Sequence, residues 1–235
     1  MVSTSTEGQE LAAWARMLAD GTRATVCLAL LDGRAWTATE LAKLAGVSRP
    51  TISEHLNLLV DGGLLTELRQ GRHRYVKLAG PETAELLEGL AALAPRRTEV
   101  ANSLSAASRR DAFARARTCY DHFAGRLGVA LTDAMTERGL LDWSSGVTLT
   151  TDGVQWLDDL GIVVENKHGR PAVRSCLDVT ERRPHLAGAV GSALCRHAMQ
   201  QGWVTRITGG RALKVSGAME GLGLPSGVIE DLVSR

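Results

Sequence analysis

Cysteine, histidine and aspartate cluster at two places in the second half of this 235-residue chain. The first is Cys119-Tyr120-Asp121-His122. The second is Cys176-Leu177-Asp178, with His185 a short way beyond. Thiolates and imidazoles ligate soft and borderline metals, and carboxylates join them or hold the imidazoles from behind. If Cys119 and His122 lie on a helix, their i, i+3 spacing puts thiol and ring on one face, a chelating geometry. The candidate metal site is therefore Cys119, Asp121, His122, Cys176, Asp178 and His185, and it suits a transition metal such as zinc or nickel. Two other readings of the same residues stay open. The thiols can serve a redox switch or a small-molecule pocket, or the cluster can be structural, because cysteine often packs as a small hydrophobe. Cys195 and His197 fall on a different helical face from His185, and Cys27 sits in an apolar segment and reads as core.

The elements that must position these residues are related to each other. HFAGRLGVALTDAMTERG (residues 122–139) matches HLAGAVGSALCRHAMQQG (residues 185–202) at an offset of 63, with His122/His185, Ala124/Ala187, Gly125/Gly188, Gly128/Gly191, Ala130/Ala193, Leu131/Leu194 and Gly139/Gly202 coinciding. Each copy is followed by a β-like stretch (Val147 to Thr150; Arg211 to Val215) and a further helical piece. The second half thus reads as two helix–hairpin–helix halves packed about a pseudo-twofold, which would make His122 and His185 neighbours. Phe113, Ala116, Tyr120, Phe123, Leu127 and Leu131 recur at three-to-four spacing and predict one long helix to about Gly139.

Composition bounds the rest. Apolar residues make up 44% and charged residues 23%, the balance of a globular protein rather than a disordered one. No apolar run reaches the roughly 18 residues of a membrane helix and no signal peptide opens the chain, so no membrane partner and a cytoplasmic location are expected. The four cysteines lie far apart, which favours free thiols or metal ligands over structural disulfides. The first residues form a polar tail expected to stay loose. Net charge is +1, so a polyanion partner must be sought in the charge distribution. Residues 69–77, RQGRHRYVK, hold four Arg/Lys and one His without an acid.

That basic run closes a recognisable order of elements. Leu11 to Ala19 is helical with Leu11, Trp14, Ala15 and Leu18 on one face. A second helix carrying Val26, Leu28, Leu30 and Leu31 is apolar nearly all round. Thr37 to Glu40 fits a capping box, and Gly46 supplies the left-handed residue that ends the helix. Ser48 caps the next helix, with Pro50 in its first turn and Ile52, Leu56, Leu59 and Val60 facing inward. Gly62-Gly63 stops it. Two strands follow, Leu64 to Arg69 and Arg72 to Leu78, with a turn at Gln70-Gly71. Pro81 opens a helix whose Leu86, Leu87, Leu90 and Leu93 suit a helix–helix contact, and a domain boundary is expected between Pro95 and Val100. The fold class is mainly α with small β-hairpins (α+β): a winged helix-turn-helix domain over residues 8–96, and a helical repeat domain over residues 100–235.

A helix-turn-helix inserts the N-terminal half of its second helix into the major groove. The expected DNA-binding residues are Ser48, Arg49, Thr51, Ser53, Glu54, His55 and Asn57 on that helix, and Arg69, Arg72, His73 and Arg74 on the hairpin. Arg49 suits a bidentate contact to guanine. The hairpin cations suit phosphate contacts, which carry salt-dependent affinity rather than sequence.

Residues 18–78 resemble the ArsR-type winged-helix transcription regulators, through Ser48, Thr51, Ser53, His55 and Leu56 of the S-x-x-T-x-S-x-H-L core and the GRHRYVKL wing. The resemblance implies a homodimer on a two-fold-related, double-stranded DNA operator. The first helix and the helix after the wing would build its interface, and an inducer would weaken binding. The chain departs from relatives that sense metal. Glu40, Leu41, Ala42 and Lys43 stand where some carry a cysteine pair, and the segment from Pro81 to Pro95 has no histidine for a dimer-interface site. The second half also resembles an extension found on some long members.

The expected function is a dimeric, sequence-specific DNA-binding regulator, a repressor released by a metal, redox or small-molecule signal sensed in the second half. The alternative is a second half that serves only as a dimerisation or partner-docking module. An enzyme is not expected, since the chain has no P-loop, nucleophile elbow or H-E-x-x-H motif, and nothing supplies Cys119 and His122 with an oxyanion hole.

Overall fold

The computed structural model describes residues 4–70, 73–94, 104–165, 171–207 and 210–233. The chain divides into two compact units, Met1–Leu87 and Glu88–Arg235. The division falls inside a helix; the expected boundary from Pro95 to Val100 lies outside the described residues.

The first unit opens with α1 (Thr4–Ala15), so the polar segment from Thr4 is helical rather than loose. α2 (Gly21–Leu30) starts at Asp20, whose carboxylate accepts the Arg23 N–H at 2.9 Å. Its apolar surface is one-sided rather than all-round: Val26, Cys27 and Leu30 are buried while Leu28 is about half exposed. A two-residue strand, β1 (Trp36–Thr37), precedes α3 (Ala38–Ala45) and α4 (Arg49–Asp61). The capping box forms as the sequence predicts: the Thr37 hydroxyl accepts the Glu40 N–H, and the Glu40 carboxylate accepts the Thr37 N–H at 2.8 Å. Gly46 adopts φ +68°, which a residue with a Cβ rarely takes, and this ends α3. Ser48 caps α4 through the Thr51 N–H. Leu41, Ile52, Leu56 and Leu59 are fully buried at this corner, each contributing about 1.5–3 kcal/mol of apolar burial.

β2 (Leu65–Gln70) and β3 (His73–Leu78) form the wing, and β1 adds a third antiparallel strand in the order β1-β3-β2, with Trp36 opposite Val76. Sequence periodicity misses β1 because two residues show no alternation. α5 (Pro81–Leu93) follows. It begins in the first unit and its last turns belong to the second.

The second unit continues with α6 (Leu104–Arg115), β4 (Arg117–Thr118), β5 (Phe123–Ala124), α7 (Gly125–Glu137), β6 (Leu141–Asp142), β7 (Thr148–Leu149) and α8 (Thr151–Asp159). It then runs through β8 (Arg174–Leu177), β9 (Pro184–Ala187), α9 (Gly188–Gln200), β10 (Val204–Arg206), β11 (Leu213–Val215), a 3₁₀ turn (Gly217–Leu222) and α10 (Ser226–Val233). The long helix expected to Gly139 is broken by the β4–β5 hairpin. The Cys119 N–H donates to the His122 carbonyl at 2.9 Å, and Gly125 turns the chain at φ +72°. A Cβ on Gly125 would stand 2.5 Å from the Ala114 carbonyl oxygen, so the turn needs glycine there. The hairpin still points Ala116 and Phe123 inward and leaves Tyr120 exposed, which is why a helical period fitted these residues in part.

The repeat is visible as structure. α7 and α9 occupy matching positions of the two copies, and Gly188 is left-handed at φ +85° as Gly125 is. Each half is a hairpin, a helix, a second hairpin and a second helix, one hairpin more than the sequence predicts. The halves interlock reciprocally. The His185 Cβ packs over Gly128, and the His122 Cβ packs over Gly191.

Candidate metal centre and nucleic-acid interface

On the reading helix α4, Arg49, Glu54 and Asn57 are exposed. The Ser48 and Thr51 hydroxyls bond each other at 2.8 Å, and Ser53 donates to the Arg49 carbonyl at 2.9 Å. His55 differs from the expectation that it projects with them. It is half-buried, with Nδ1 3.4 Å from the Arg23 guanidinium and 3.8 Å from Asp20, and so ties α4 to the start of α2. On the wing, Arg69 and Arg74 flank Glu67 at 2.7 and 2.8 Å. The hydrogen bond from Arg69 holds the Glu67 carboxyl below its ordinary range. The basic run is thus partly neutralised by an acid just outside it. His73 opens β3 opposite Gln70, and Arg72 lies outside the described residues.

In the second unit, two hairpins each supply one thiol and one imidazole. The β4–β5 turn is bounded by Cys119 and His122, so their pairing comes from a tight turn and not from the helix the spacing suggested. Cys176 on β8 is the cross-strand partner of His185 on β9, and residues directly opposite on antiparallel strands have side chains on the same face. One ligand atom from each of Cys119, His122, Cys176 and His185 lies within 4.8 Å of the others. The two sulfurs are 4.0 Å apart and the two Nε2 atoms 3.2 Å apart. A tetrahedron with zinc–sulfur bonds near 2.3 Å and zinc–nitrogen bonds near 2.05 Å has sulfur–sulfur and nitrogen–nitrogen edges of about 3.8 and about 3.4 Å. The sulfur pair and the nitrogen pair are spaced close to those edges.

Asp121 and Asp178 do not join the four donors. They stand behind the imidazoles, Asp121 Oδ1 at 3.2 Å from His122 Nδ1 and Asp178 Oδ2 at 3.5 Å from His185 Nδ1. The Asp121 carboxylate is within hydrogen-bond distance of His122 Nδ1 and favours a proton there, whereas His185 Nδ1 makes no hydrogen bond. The two Nε2 atoms face each other at 3.2 Å, so one of them can carry a proton toward the other, and a cation bound between them would take that proton's place. Burial lowers the affinity of His122 for a proton, but the bonds to Asp121 and Cys119 outweigh it and raise its pKa to about 9. The hydrogen bond with Cys176, burial and the nearby Glu88 together push the Cys119 thiol far above its usual range.

A charged network that sequence reasoning missed encloses the site. Arg117 is fully buried, with its guanidinium 3.0 Å from Asp178, 3.9 Å from Glu88 and stacked 4.6 Å from the Phe113 ring centre. Asp178 also accepts the Gly125 N–H at 2.6 Å and bonds Thr180. Burial alone would raise the Asp178 carboxyl, but Arg117 and the backbone donors hold it well below the usual range. Glu88, from α5, accepts the Cys119 S–H at 2.9 Å and pairs with Arg211 at 2.6 Å. One signal could have found it: Ala84, Glu88 and Ala92 share a helical face, and all three are buried. An acid among alanines on that face is out of place on solvent-free ground. Cys195 is buried apart from the cluster, and burial pushes its thiol up to about 12.

The capped helices, the left-handed turn between them and the wing define a winged helix-turn-helix DNA-binding protein. The chain belongs to the HTH-type transcriptional regulators, and it is a DNA-binding regulator of transcription. Residues 18–67 match the family described as a helix-turn-helix domain. The chain is 36% identical over 203 residues to a Bacillus subtilis protein described as an uncharacterized HTH-type transcriptional regulator, YdfF, covering 85% of this chain and 89% of that one. It is also 36% identical over 72 residues to a probable mercury resistance operon repressor of Streptomyces lividans, over 31% of this chain and 57% of the relative. The homodimeric winged helix-turn-helix domain Mb0332 from Mycobacterium bovis, a possible ArsR-family regulator, aligns with 43% of this chain and 96% of its own, at 23% identity and a TM-score of 0.36. No helix among the described residues is long and apolar enough to cross a membrane.

Proposed function

We propose that this regulator is a dimeric repressor whose hold on its operator is switched by a transition metal bound at Cys119, His122, Cys176 and His185. The observation that carries the reading is the convergence of two thiols and two imidazoles within 4.8 Å of one another, at spacings close to a tetrahedral site. Two sulfurs and two nitrogens suit zinc and its softer or borderline relatives, cobalt and cadmium, more than an octahedral oxygen-preferring ion. The four residues would hold the metal between a hairpin from each repeat half, with Asp121 orienting His122 through its Nδ1 and Asp178 standing 3.5 Å behind His185.

Dimerisation draws support from apolar surface that the single chain leaves uncovered. Leu11 on α1 and Leu86, Leu90 and Leu93 on α5 are all exposed, on the two helices that the family resemblance assigns to the interface. The repressor sense draws on the Streptomyces lividans relative named for mercury resistance. A thiol switch has its own support in the 4.0 Å separation of Cys119 and Cys176.

One set of measurements tests the reading. Protein purified under reducing conditions is analysed for metal and titrated with cobalt(II), whose thiolate charge-transfer band reports sulfur ligation. Its affinity for a duplex selected from a random pool on metal-free protein is then measured with and without zinc. The expected result is one metal per chain, loss of the band in Cys119→Ser with Cys176→Ser, and weaker DNA binding with metal. Absence of any metal binding, together with loss of DNA affinity on treatment with peroxide, overturns the metal reading in favour of the thiol switch.

A further inference from the structure

Glu88 is a fully buried carboxylate outside the four donors, and it lies on α5, the helix that leaves the wing. Its two oxygens have different partners. Oε2 accepts the Cys119 S–H at 2.9 Å; Oε1 accepts Arg211 at 2.6 Å and has the Arg117 Nε at 3.9 Å. We propose that Glu88 is the positioning residue that carries metal occupancy from Cys119 into α5. The proposal rests on the metal reading above and goes beyond it, because that reading names where the signal binds and not how it leaves.

The chemistry follows from what ligation does to one sulfur. The metal–sulfur bond forms, the S–H bond breaks and the proton passes to the buffer. The S–H donor that Glu88 holds no longer exists, and a carboxylate then faces a sulfur of thiolate character across 2.9 Å. The bound dication would offset much of the sulfur's charge, but the buried carboxylate has lost the hydrogen-bond donor that held Oε2 there. Arg211 and Arg117 remain on the other side of the carboxylate, so it is drawn away from the sulfur toward them. Buried charged groups settle into discrete pairings rather than sliding continuously. The displaced group belongs to a helix of 13 residues whose first turns lie in the unit that carries α4. Its C-terminal end is held by Arg182, which donates to the Ala92 and Ala94 carbonyls, so a shift of Glu88 is passed toward the first turns. Site and reading head are thereby joined through one helix, in a chain whose Pro81 to Pro95 segment has no metal-ligating histidine of its own.

The test is Glu88→Gln in the full chain. The amide keeps the shape, but its NH₂ group donates to a thiolate, so ligation of Cys119 no longer leaves the side chain without a hydrogen-bond partner at the sulfur. Expected are an intact cobalt charge-transfer band and zinc affinity equal to or tighter than wild type. Metal-free affinity for the selected duplex should be unchanged, and the change in DNA affinity on adding zinc should shrink from a typical allosteric range of about 5–150-fold to within about twofold. Glu88→Asp is the second variant, since it keeps a negative charge opposite both arginines while withdrawing it from the sulfur; a reduced response is expected there too. A wild-type-sized zinc response in both variants overturns the proposal and leaves the metal site standing. A wild-type protein that binds cobalt without altering its DNA affinity overturns the proposal together with the switching role of the metal. A wild-type protein that binds no metal overturns the metal reading itself.

Discussion

Gly191→Ala should destabilise the second unit, although the same exchange inside an ordinary helix stabilises. Gly191 lies in the first turn of α9, where alanine would gain about 1 kcal/mol of helix propensity. Against this, the new Cβ would stand 2.6 Å from the Leu186 carbonyl oxygen, 3.1 Å from its carbon and 3.2 Å from the His122 Cβ. The first contact is roughly 0.8 Å short of ordinary van der Waals separation. Its partner is the backbone of β9, which cannot turn away as a side chain can, so the strand must move. Overpacking of this kind costs about 1–3 kcal/mol, and the backbone clash argues for the upper end, leaving a net loss of about 2 kcal/mol. For a chain of this size that is a fall in melting temperature of about 4–8 °C. Because β9 carries His185 and the displaced neighbour is His122, zinc affinity should fall as well. Gly89→Ala is the control, since no heavy atom lies within 4 Å of its Cβ position in α5; it should gain up to about 1 kcal/mol. The assay is thermal unfolding followed by near-ultraviolet dichroism, alongside zinc competition with a chromophoric chelator. A Gly191→Ala protein as stable as wild type, with unaltered zinc affinity, would refute the interlocked packing of the two histidines over the two glycines.

Three further predictions use other parts of the molecule. Arg49→Ala should lower binding to the selected duplex by about 1–3 kcal/mol and relax its sequence preference, whereas Arg69→Ala should weaken all duplexes alike and flatten the salt dependence. Swapped behaviour in fluorescence anisotropy would reverse the assignment of base and phosphate contacts. Cys176 is the one half-buried thiol of the four, while burial pushes the Cys27 thiol up to about 11 and the Cys195 thiol up to about 12. Ellman's reagent should therefore modify one thiol quickly in the native metal-free protein at pH 8 and all four after denaturation, with zinc protecting the fast one. Arg117→Met should cost about 3–5 kcal/mol, because it removes the counter-ion of the buried Asp178, while Glu88 keeps Arg211; chemical denaturation of the second unit measures this.

The reading head was legible because its signals are local. A capping box, a left-handed glycine and an N-cap serine each act within four residues, and Thr37, Gly46 and Ser48 take those roles in the fold. The wing's strands are long enough to alternate. The meeting of the two histidines was legible for another reason: the repeat at an offset of 63 implies that His122 and His185 face each other, whatever the elements between them are. The elements themselves were not legible. β4 and β5 have two residues each, too few for any period, and a helical spacing was read across a hairpin that happens to turn the same residues inward.

The acid network was illegible for a deeper reason. Glu88, Arg117, Asp178 and Arg211 lie far apart in the chain, and each looks like a residue that belongs on a solvated surface. Their pairing is non-local electrostatics, and only the fold reveals which charges lose their water together. Burying two carboxylates and a guanidinium is costly, and a hydrophobic replacement of the same shape often holds a fold as well or better. Their placement around Cys119 and His185 is therefore hard to account for by stability alone. It is accounted for if the charges respond when the sulfur and the imidazole change partners. This network is where a buried charge on the helix leaving the wing meets a thiol of the cluster.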